Sequence, residues 1–190
     1  MNRRTFLMVS AGAATWALAG LKPALADLEP DGLSSTYRRY RLMIVGQRDD
    51  ESGIALTGAV INALAKFLPT SRAQLARAED ARRVGVLIGT NQQDVAIMVA
   101  DSAEALFLAK APFDDMHNVP LRLIVSFRSH VVVCRADLMA SQVYLIAQTL
   151  AEHEDALPLH VGMPSGVVPT HPGSLAYFAG DVMPKSSIQG

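Results

Sequence analysis

The chain alternates short apolar runs with longer segments of helical periodicity, a pattern typical of an α/β sheet protein. Its clearest run covers residues 95–99, and a short apolar run without alternation predicts a strand that is buried on both faces. Directly after it, Asp101 and Ser102 are suited to cap a helix over residues 103–110. Glu104 stands where a capping box would place it. In α/β sheets the crevice at the carboxyl ends of the strands binds ligands, so we expect the functional site there.

The remaining pattern extends this unit to one α/β domain. Further strands are predicted over residues 42–46, 73–77, 121–127 and 130–135, and further helices over residues 53–68, 79–89, 139–154 and 174–178. The strand at 73–77 has the weakest signal, and residues 84–88 would by composition also suit a strand. The predicted fold is a single α/β lobe, with a mostly parallel sheet flanked by helices. From residue 156 onward, repeated Pro and Gly predict an irregular C-terminal arm.

The first 26 residues have the pattern of a signal peptide. An Arg3-Arg4 pair is followed by an apolar segment rich in Ala and Gly, and residues 24–26 form an Ala-Leu-Ala cleavage site. The arrangement resembles a twin-arginine (Tat) export signal, and a Sec signal is one alternative. A membrane anchor is the other alternative, but it would need about 20 continuous apolar residues, which Lys22 interrupts. We therefore expect export to the periplasm by the twin-arginine route.

Removal of residues 1–26 leaves 164 of the 190 residues, enough for one domain with a hydrophobic core. Residues 27–36 are polar and predict a flexible leader, so the domain would span residues 37–190. Three of the 17 basic residues and none of the 18 acidic ones lie in the signal, which leaves 14 basic residues and a net charge of −4. This balance argues against a nucleic-acid-binding protein. Cys134 cannot form an internal disulfide, and its apolar neighbours predict a buried side chain.

Several segments resemble the TAXI family of TRAP-transporter solute receptors. They are residues 42–46 with the glycine-containing helix that follows, residues 89–107 with an aspartate before the apolar strand, and the paired strands of residues 121–135. The most specific segment is residues 169–178, PTHPGSLAYF, which resembles a His-Pro-Gly-Ala-x-x-Tyr-Tyr ending. The resemblance implies a periplasmic-binding-protein-like lobe that binds a small organic anion or a related solute.

The chain departs from this family at two places. Full members have two lobes that close over the solute, whereas here residues 135–137 run straight into the helix that contains Tyr144. The resemblance therefore implies a single lobe. The glycine-rich loop that usually follows the first strand is replaced by residues 47–52, QRDDES, whose three acidic side chains are poorly suited to an anion.

The candidate ligand-binding residues follow the predicted strands. They are Gln47, Asp49 and Ser52 after the first strand, Asp101 and Ser102 after the strand at 95–99, and Phe127 and Arg128 after the next strand. Free N–H groups at two helix starts, near Ser52 and Ser102, could hold a carboxylate. Arg128 is the best single anion-binding candidate. The simpler alternative is that Asp101 and Ser102 only cap their own helix.

No catalytic, metal or cofactor site is predicted. Five histidines and eight methionines in an exported protein suggest copper or zinc binding, but the sequence has no closely spaced histidine pair. His153 suits a helix end, and His171 before Pro172-Gly173 suits a turn that fixes the tail. There is no G-x-S-x-G motif and no phosphate-binding glycine-rich loop, so we predict no enzyme activity.

Three functions from different classes are compatible with this sequence. The first is a periplasmic solute-receptor-like protein that binds a small-molecule solute beside TRAP membrane subunits. The second is a protein–protein interaction module, or a homodimer, in which a partner covers the crevice left by a missing lobe. The third and weakest is a periplasmic metal-handling protein.

Overall fold

The computed structural model describes residues 41–117 and 119–185. The predicted signal peptide and leader, and the first residues of the predicted domain, lie outside the described residues. Within the described ranges, no helix is long and apolar enough to cross a membrane.

The described residues form five strands and five α-helices. The strands are β1 (Met43–Gln47), β2 (Gln74–Ala78), β3 (Val95–Val99), β4 (Leu121–Ser126) and β5 (His130–Arg135). The helices are α1 (Glu51–Phe67), α2 (Ala81–Gly89), α3 (Ala100–Phe107), α4 (Ala140–Glu152) and α5 (Pro172–Ala179). Every predicted element is present: β3 and β5 have the predicted bounds, and the others, including the weakly predicted β2, have shifted ends. Residues 84–88 are helical, as the predicted helix over residues 79–89 requires, and do not form the strand that their composition would also suit.

The five strands form one mixed sheet in the order β2-β1-β3-β5-β4. β1 pairs in parallel with β2 and β3, whereas β5 is antiparallel to both of its neighbours. The prediction of a mostly parallel sheet therefore holds for β2-β1-β3 and is wrong for the other half. Only residues 127–129 join β4 to β5, and a connection this short permits a hairpin but no parallel crossover.

Helices cover both faces of the sheet. Successive side chains of a strand point to opposite faces, so Ile44 packs with α1 and α4 while Val45 packs with α2 and α3. The first face is filled by side chains such as Leu64 and Ile146, and the second by side chains such as Leu106. Coverage of both faces explains why β1 and β3 are apolar without alternation.

The C-terminal arm runs along β4, the last strand of the sheet. Leu123 N–H donates to the Pro169 carbonyl, and His171 N–H donates back to the Leu123 carbonyl, each over 2.9 Å. Ser126 and Gly162 exchange a similar pair of backbone hydrogen bonds at 3.1 and 2.8 Å. The arm therefore satisfies polar groups that an open strand edge would expose.

A tight turn joins β5 to α4, because Leu138 N–H donates to the Arg135 carbonyl over 3.3 Å. No second lobe stands between these two elements. The described chain is a single lobe, as predicted.

Candidate functional site

The carboxyl ends of β1 and β3 and the β4–β5 hairpin lie at one edge of the sheet. β1 and β3 are parallel, so their last residues, Gln47 and Val99, point to the same edge. β5 runs in the opposite direction, and its first residue, His130, pairs with Val99. The hairpin of residues 127–129 is thus beside the ends of the parallel strands.

A crevice is expected between β1 and β3, because the order of the strands reverses there. The chain passes from β1 through α1 to β2 on one side, and then through α2 to β3 on the other. The helices that follow β1 and β3 cover opposite faces, so their connecting loops diverge. Such a switch point at the carboxyl edge is the usual ligand site of an open α/β sheet.

Asp50 is the N-cap of α1 and the centre of a polar cluster at this edge. Its Oδ1 accepts hydrogen bonds from Gly53 N at 2.9 Å and from Ser52 Oγ at 2.8 Å. Its Oδ2 is 2.7 Å from His130 Nε2. Burial raises the pKa of Asp50, but the hydrogen bonds from Gly53, His130 and Ser52 outweigh burial and hold it below the ordinary value. Asp50 is therefore a carboxylate.

His130 joins Asp50 to Ser129. Its ring is buried, with Nε2 on Asp50 and Nδ1 2.9 Å from Ser129 Oγ. A carboxylate only accepts hydrogen bonds, so Nε2 carries the proton that it donates to Asp50. In the neutral ring Nδ1 is then an acceptor, and the Ser129 hydroxyl donates to it. The result is a continuous Asp50–His130–Ser129 hydrogen-bond chain across the carboxyl edge.

Gln47 presents a buried amide without a partner. It is 4% exposed, and its Nε2 has no hydrogen-bond partner among the described residues. A Cβ on neighbouring Gly46 would approach Thr57 Oγ of α1 at 2.8 Å, so Gln47 faces the opposite side, toward α2 and α3. An unsatisfied buried donor costs about 1–3 kcal/mol, which makes this amide the strongest sign of a missing acceptor at the edge.

The start of α3 differs from the prediction. The helix begins at Ala100, its N-cap is Val99, and no side chain caps it. The prediction that Asp101 and Ser102 cap the helix is therefore wrong, since both lie within its first turn. Ala100 N instead donates to the Ser129 carbonyl over 3.0 Å, so the hairpin provides one cap from a distant part of the chain. The next N–H groups of the turn have no partner within the helix.

The predicted site residues divide into those at the edge and those elsewhere. At this edge, Gln47 ends β1, Asp49 lies in the loop that follows, and Arg128 lies in the β4–β5 hairpin. Ser52 lies in the first turn of α1, and Asp101 and Ser102 lie in the first turn of α3. Phe127 is 5% exposed and packs in the core with α1 and α4, so the structure does not place it in the crevice. Of the N–H groups expected to be free near Ser52, that of Gly53 is already used, because it donates to Asp50.

Sequence reasoning missed Asp50, Ser129 and His130 as site residues. A local signal existed for Asp50, because an aspartate directly before a helix is a favoured N-cap. His130 and Asp50 are 80 residues apart, and no local pattern indicates their contact.

Two cavities are relevant to the size of a ligand. One of about 70 Å³ opens between the first turn of α3 and the C-terminal arm, where Asp101, Leu123 and Val168 contribute to its wall. Another of about 260 Å³ lies between α2 and residues 115–117 and 119, toward the opposite edge of the sheet. The polar cluster lies at the carboxyl edge of β1 and β3, so we place the candidate site at that edge rather than in the larger cavity.

Two other histidines and the cysteine, which could bind a metal or react, make structural contacts instead. No group of three or more His, Cys, Asp or Glu side chains within the described ranges is arranged to hold a metal ion. His153 stacks on Phe67 with ring centroids 3.6 Å apart, and His160 Nδ1 is 2.7 Å from Glu154 Oε2. Cys134 is fully buried, and burial raises the pKa of its thiol far above the ordinary value, so the prediction of a buried structural cysteine is confirmed.

No family model matches this chain, and no curated protein matches it significantly.

Proposed function

We propose that this chain is a solute-receptor-like protein that holds a small solute in the crevice between β1 and β3. The observation that carries the proposal is the buried Nε2 of Gln47, which has no hydrogen-bond partner in the described part of the chain and lies at the topological switch point. A buried polar group without a partner in a native protein requires an explanation, and the acceptor of a bound solute would supply one here. The role is that of a TAXI-type receptor reduced to one periplasmic-binding-protein-like lobe.

The polar groups at the edge favour a ligand that carries a carboxylate or another oxygen acceptor. Gln47 Nε2 offers one donor, and the uncapped N–H groups of α3 offer others close to a positive helix end. Asp49 and Asp101 are exposed at the same edge and disfavour a multiply charged anion. The proposed ligand is therefore a small solute with one carboxylate or carbonyl group, and Arg128 on the hairpin would assist with its charge.

The cellular role follows from the sequence alone and is part of the same proposal. The twin-arginine-type signal would send the folded protein to the periplasm. TRAP membrane subunits would then be its partners, as for the receptors that it resembles.

The decisive variant is Gln47→Met, which keeps the length of the side chain and removes its polar atoms. We expect Gln47→Met to raise the free energy of unfolding by about 1 kcal/mol, since the unsatisfied donor is lost. We also expect it to abolish the rise in melting temperature that a bound carboxylate or amino acid gives the wild type. Thermal shift of the mature protein against a panel of such solutes measures both effects.

Two controls make the result specific. Gln92→Met alters an exposed glutamine in the turn before β3 and should leave the solute-induced shift unchanged. Arg128→Ala should weaken the shift for carboxylates more than for amides. A Gln47→Met protein that is less stable than the wild type and still responds to the same solute would contradict the proposed site.

A second candidate function is a protein–protein interaction module or homodimer. The observation in its favour is a set of exposed apolar side chains in the C-terminal arm and α5, namely Met163, Val167, Leu175 and Val182. A mature protein that responds to no solute in the panel and elutes as a dimer from a sizing column would favour this alternative.

A further inference from the structure

The Asp50–His130–Ser129 chain has the arrangement that activates a serine hydroxyl. Ser129 Oγ is 2.9 Å from His130 Nδ1, and the opposite ring nitrogen is 2.7 Å from Asp50 Oδ2. Asp50 is itself held by Gly53 N and Ser52 Oγ. A serine hydroxyl that is hydrogen-bonded to a base, with the base oriented by a third group, is the arrangement that activates serine nucleophiles on unrelated folds.

A purely structural link between the hairpin and α1 would need only the hydrogen bond from His130 to Asp50. The bond from His130 to Asp50 already joins the two segments, and both side chains are largely buried, at 5% and 16% exposure. Ser129 is exposed, so water could satisfy its hydroxyl without the bond to His130. The hydroxyl is thus available to a substrate, whereas its base is protected from solvent.

We propose that Ser129 is a nucleophile that takes the acyl group of small carboxylic esters, with His130 as its base and Asp50 as the residue that positions His130. This activity goes beyond the proposed receptor function and does not depend on it.

The reaction proceeds in two balanced halves. Ser129 Oγ attacks the ester carbonyl carbon while its proton passes to His130 Nδ1, and the ester C–O bond then breaks as the alcohol takes that proton. Water next attacks the acyl-serine carbonyl and gives a proton to Nδ1. The bond to Ser129 Oγ breaks, the carboxylic acid leaves, and the proton returns to the serine.

The start of α3 is placed to assist this reaction. Ala100 N donates to the Ser129 carbonyl, which fixes Ser129 beside the first turn of α3. The uncapped N–H groups of that turn, at Asp101 and Ser102, are the donors available to a developing oxyanion. The exposed Asp101 carboxylate opposes negative charge at the same turn and keeps the expected rate low.

The test uses a fluorophosphonate, which transfers its phosphorus to an activated serine and releases fluoride. We expect about one adduct for each mature chain, seen by intact mass and mapped by peptide analysis to Ser129. Ser129→Ala should lose the adduct, and hydrolysis of p-nitrophenyl acetate should fall with it. Ser165→Ala is the matched control, because Ser165 is exposed in the arm and has no histidine partner among the described residues.

Two further variants separate activation from folding. Asp50→Asn should slow labelling at saturating reagent by on the order of a hundredfold or more, while the half-saturating concentration and the circular dichroism stay near wild type. Asp101→Asn should speed labelling. The proposal is overturned if the wild type gives no adduct at Ser129, if Ser129→Ala is labelled equally, or if a folded Asp50→Asn protein reacts at the wild-type rate.

Discussion

At the scale of single residues, Gly53 makes the contact between Asp50 and His130 possible. A Cβ at this position would lie 2.2 Å from Asp50 Oδ2 and 3.1 Å from His130 Nε2, although the residue is in a helix. We expect Gly53→Ala to destabilise the protein by about 1–3 kcal/mol, because the carboxylate must leave its cap or the ring must move. Urea unfolding of the mature protein measures this loss.

Gly58 provides the matched control in the same helix. Beyond the adjacent residues and the backbone of the helix itself, no heavy atom of the described residues lies within 4 Å of a Cβ at this position, so Gly58→Ala gains helix propensity at no steric cost. It should stabilise the protein by roughly 0.5–1 kcal/mol. If both alanine variants changed stability in the same direction and by the same amount, the Asp50–His130 contact would not be the reason that position 53 is a glycine.

Residue-scale prediction from the sequence succeeded where the determinant was local. Gln47 was selected because it follows a buried strand, and the structure places it, buried, at the expected edge. The cap of α3 was predicted wrongly, because the helix begins at Ala100, before Asp101, and Ala100 N donates to the Ser129 carbonyl. That bond joins segments almost thirty residues apart in the sequence, so local pattern cannot reveal it.

At the scale of elements, His171 fixes α5 and the C-terminal arm. Its Nδ1 accepts from Gly173 N at 3.1 Å, and its Nε2 is 3.0 Å from the Leu138 carbonyl, to which it donates. Only the neutral ring with its proton on Nε2 makes both bonds together, because a protonated Nδ1 cannot accept from Gly173 N. Burial lowers the pKa of His171, and the charge of Arg122 lowers it further, against the opposing effect of the Leu138 carbonyl.

This lowered pKa predicts a loss of stability in mild acid. The unfolded chain binds the proton near the ordinary pKa of 6.5, whereas the folded chain resists it until a lower pH. The stability due to neutral His171 is therefore complete above about pH 6.5 and falls as the pH drops below that value. His171→Gln should cost about 1 kcal/mol at neutral pH through the weakened cap, and should flatten this part of the pH dependence.

Unfolding free energies at several values between pH 7.5 and 5 test the role of His171. His160→Gln is the control, since that ring is exposed and its Nδ1 is 2.7 Å from Glu154 Oε2 on the surface. A His171→Gln protein with the same acid sensitivity as the wild type would show that another group is responsible.

The elements themselves were largely predictable, because their patterns are local. The apolar run of residues 95–99 predicted the buried strand β3, and Gly89 predicted the end of α2. The His171 turn was likewise expected to fix the tail. The direction of β5 was missed although the short 127–129 connection implies it. The edge position of the arm, along β4, depends on contacts that no segment specifies alone.

At the scale of the whole molecule, one sheet separates and joins two hydrophobic clusters. Leu64 of α1 packs on one face and Leu106 of α3 on the other, and both side chains are fully buried. Neighbouring residues of the same strand serve both clusters, as Ile44 and Val45 do in β1. Neither face can lose its packing without disturbing strands on which the other face depends.

We therefore expect the mature protein to unfold in a single cooperative transition. Leu64→Ala and Leu106→Ala should each lower the free energy of unfolding by about 2–5 kcal/mol, and in each variant the transition should remain single. Far-ultraviolet circular dichroism reports all elements. Tyrosine fluorescence, measured in a background in which Tyr37 and Tyr40 are replaced by Phe, reports the first face through Tyr144 and Tyr177, whose rings are 5.6 Å apart.

Coincidence of the two signals is the decisive measurement, because it does not depend on the size of either substitution. If the clusters were independent, Leu106→Ala would shift the dichroism transition and leave the tyrosine transition in place. A shared sheet requires both signals to move together in both variants. Separation of the signals in either variant would show that the lobe does not unfold as one cooperative unit. It would then also contradict the rigid sheet edge on which the proposed site depends.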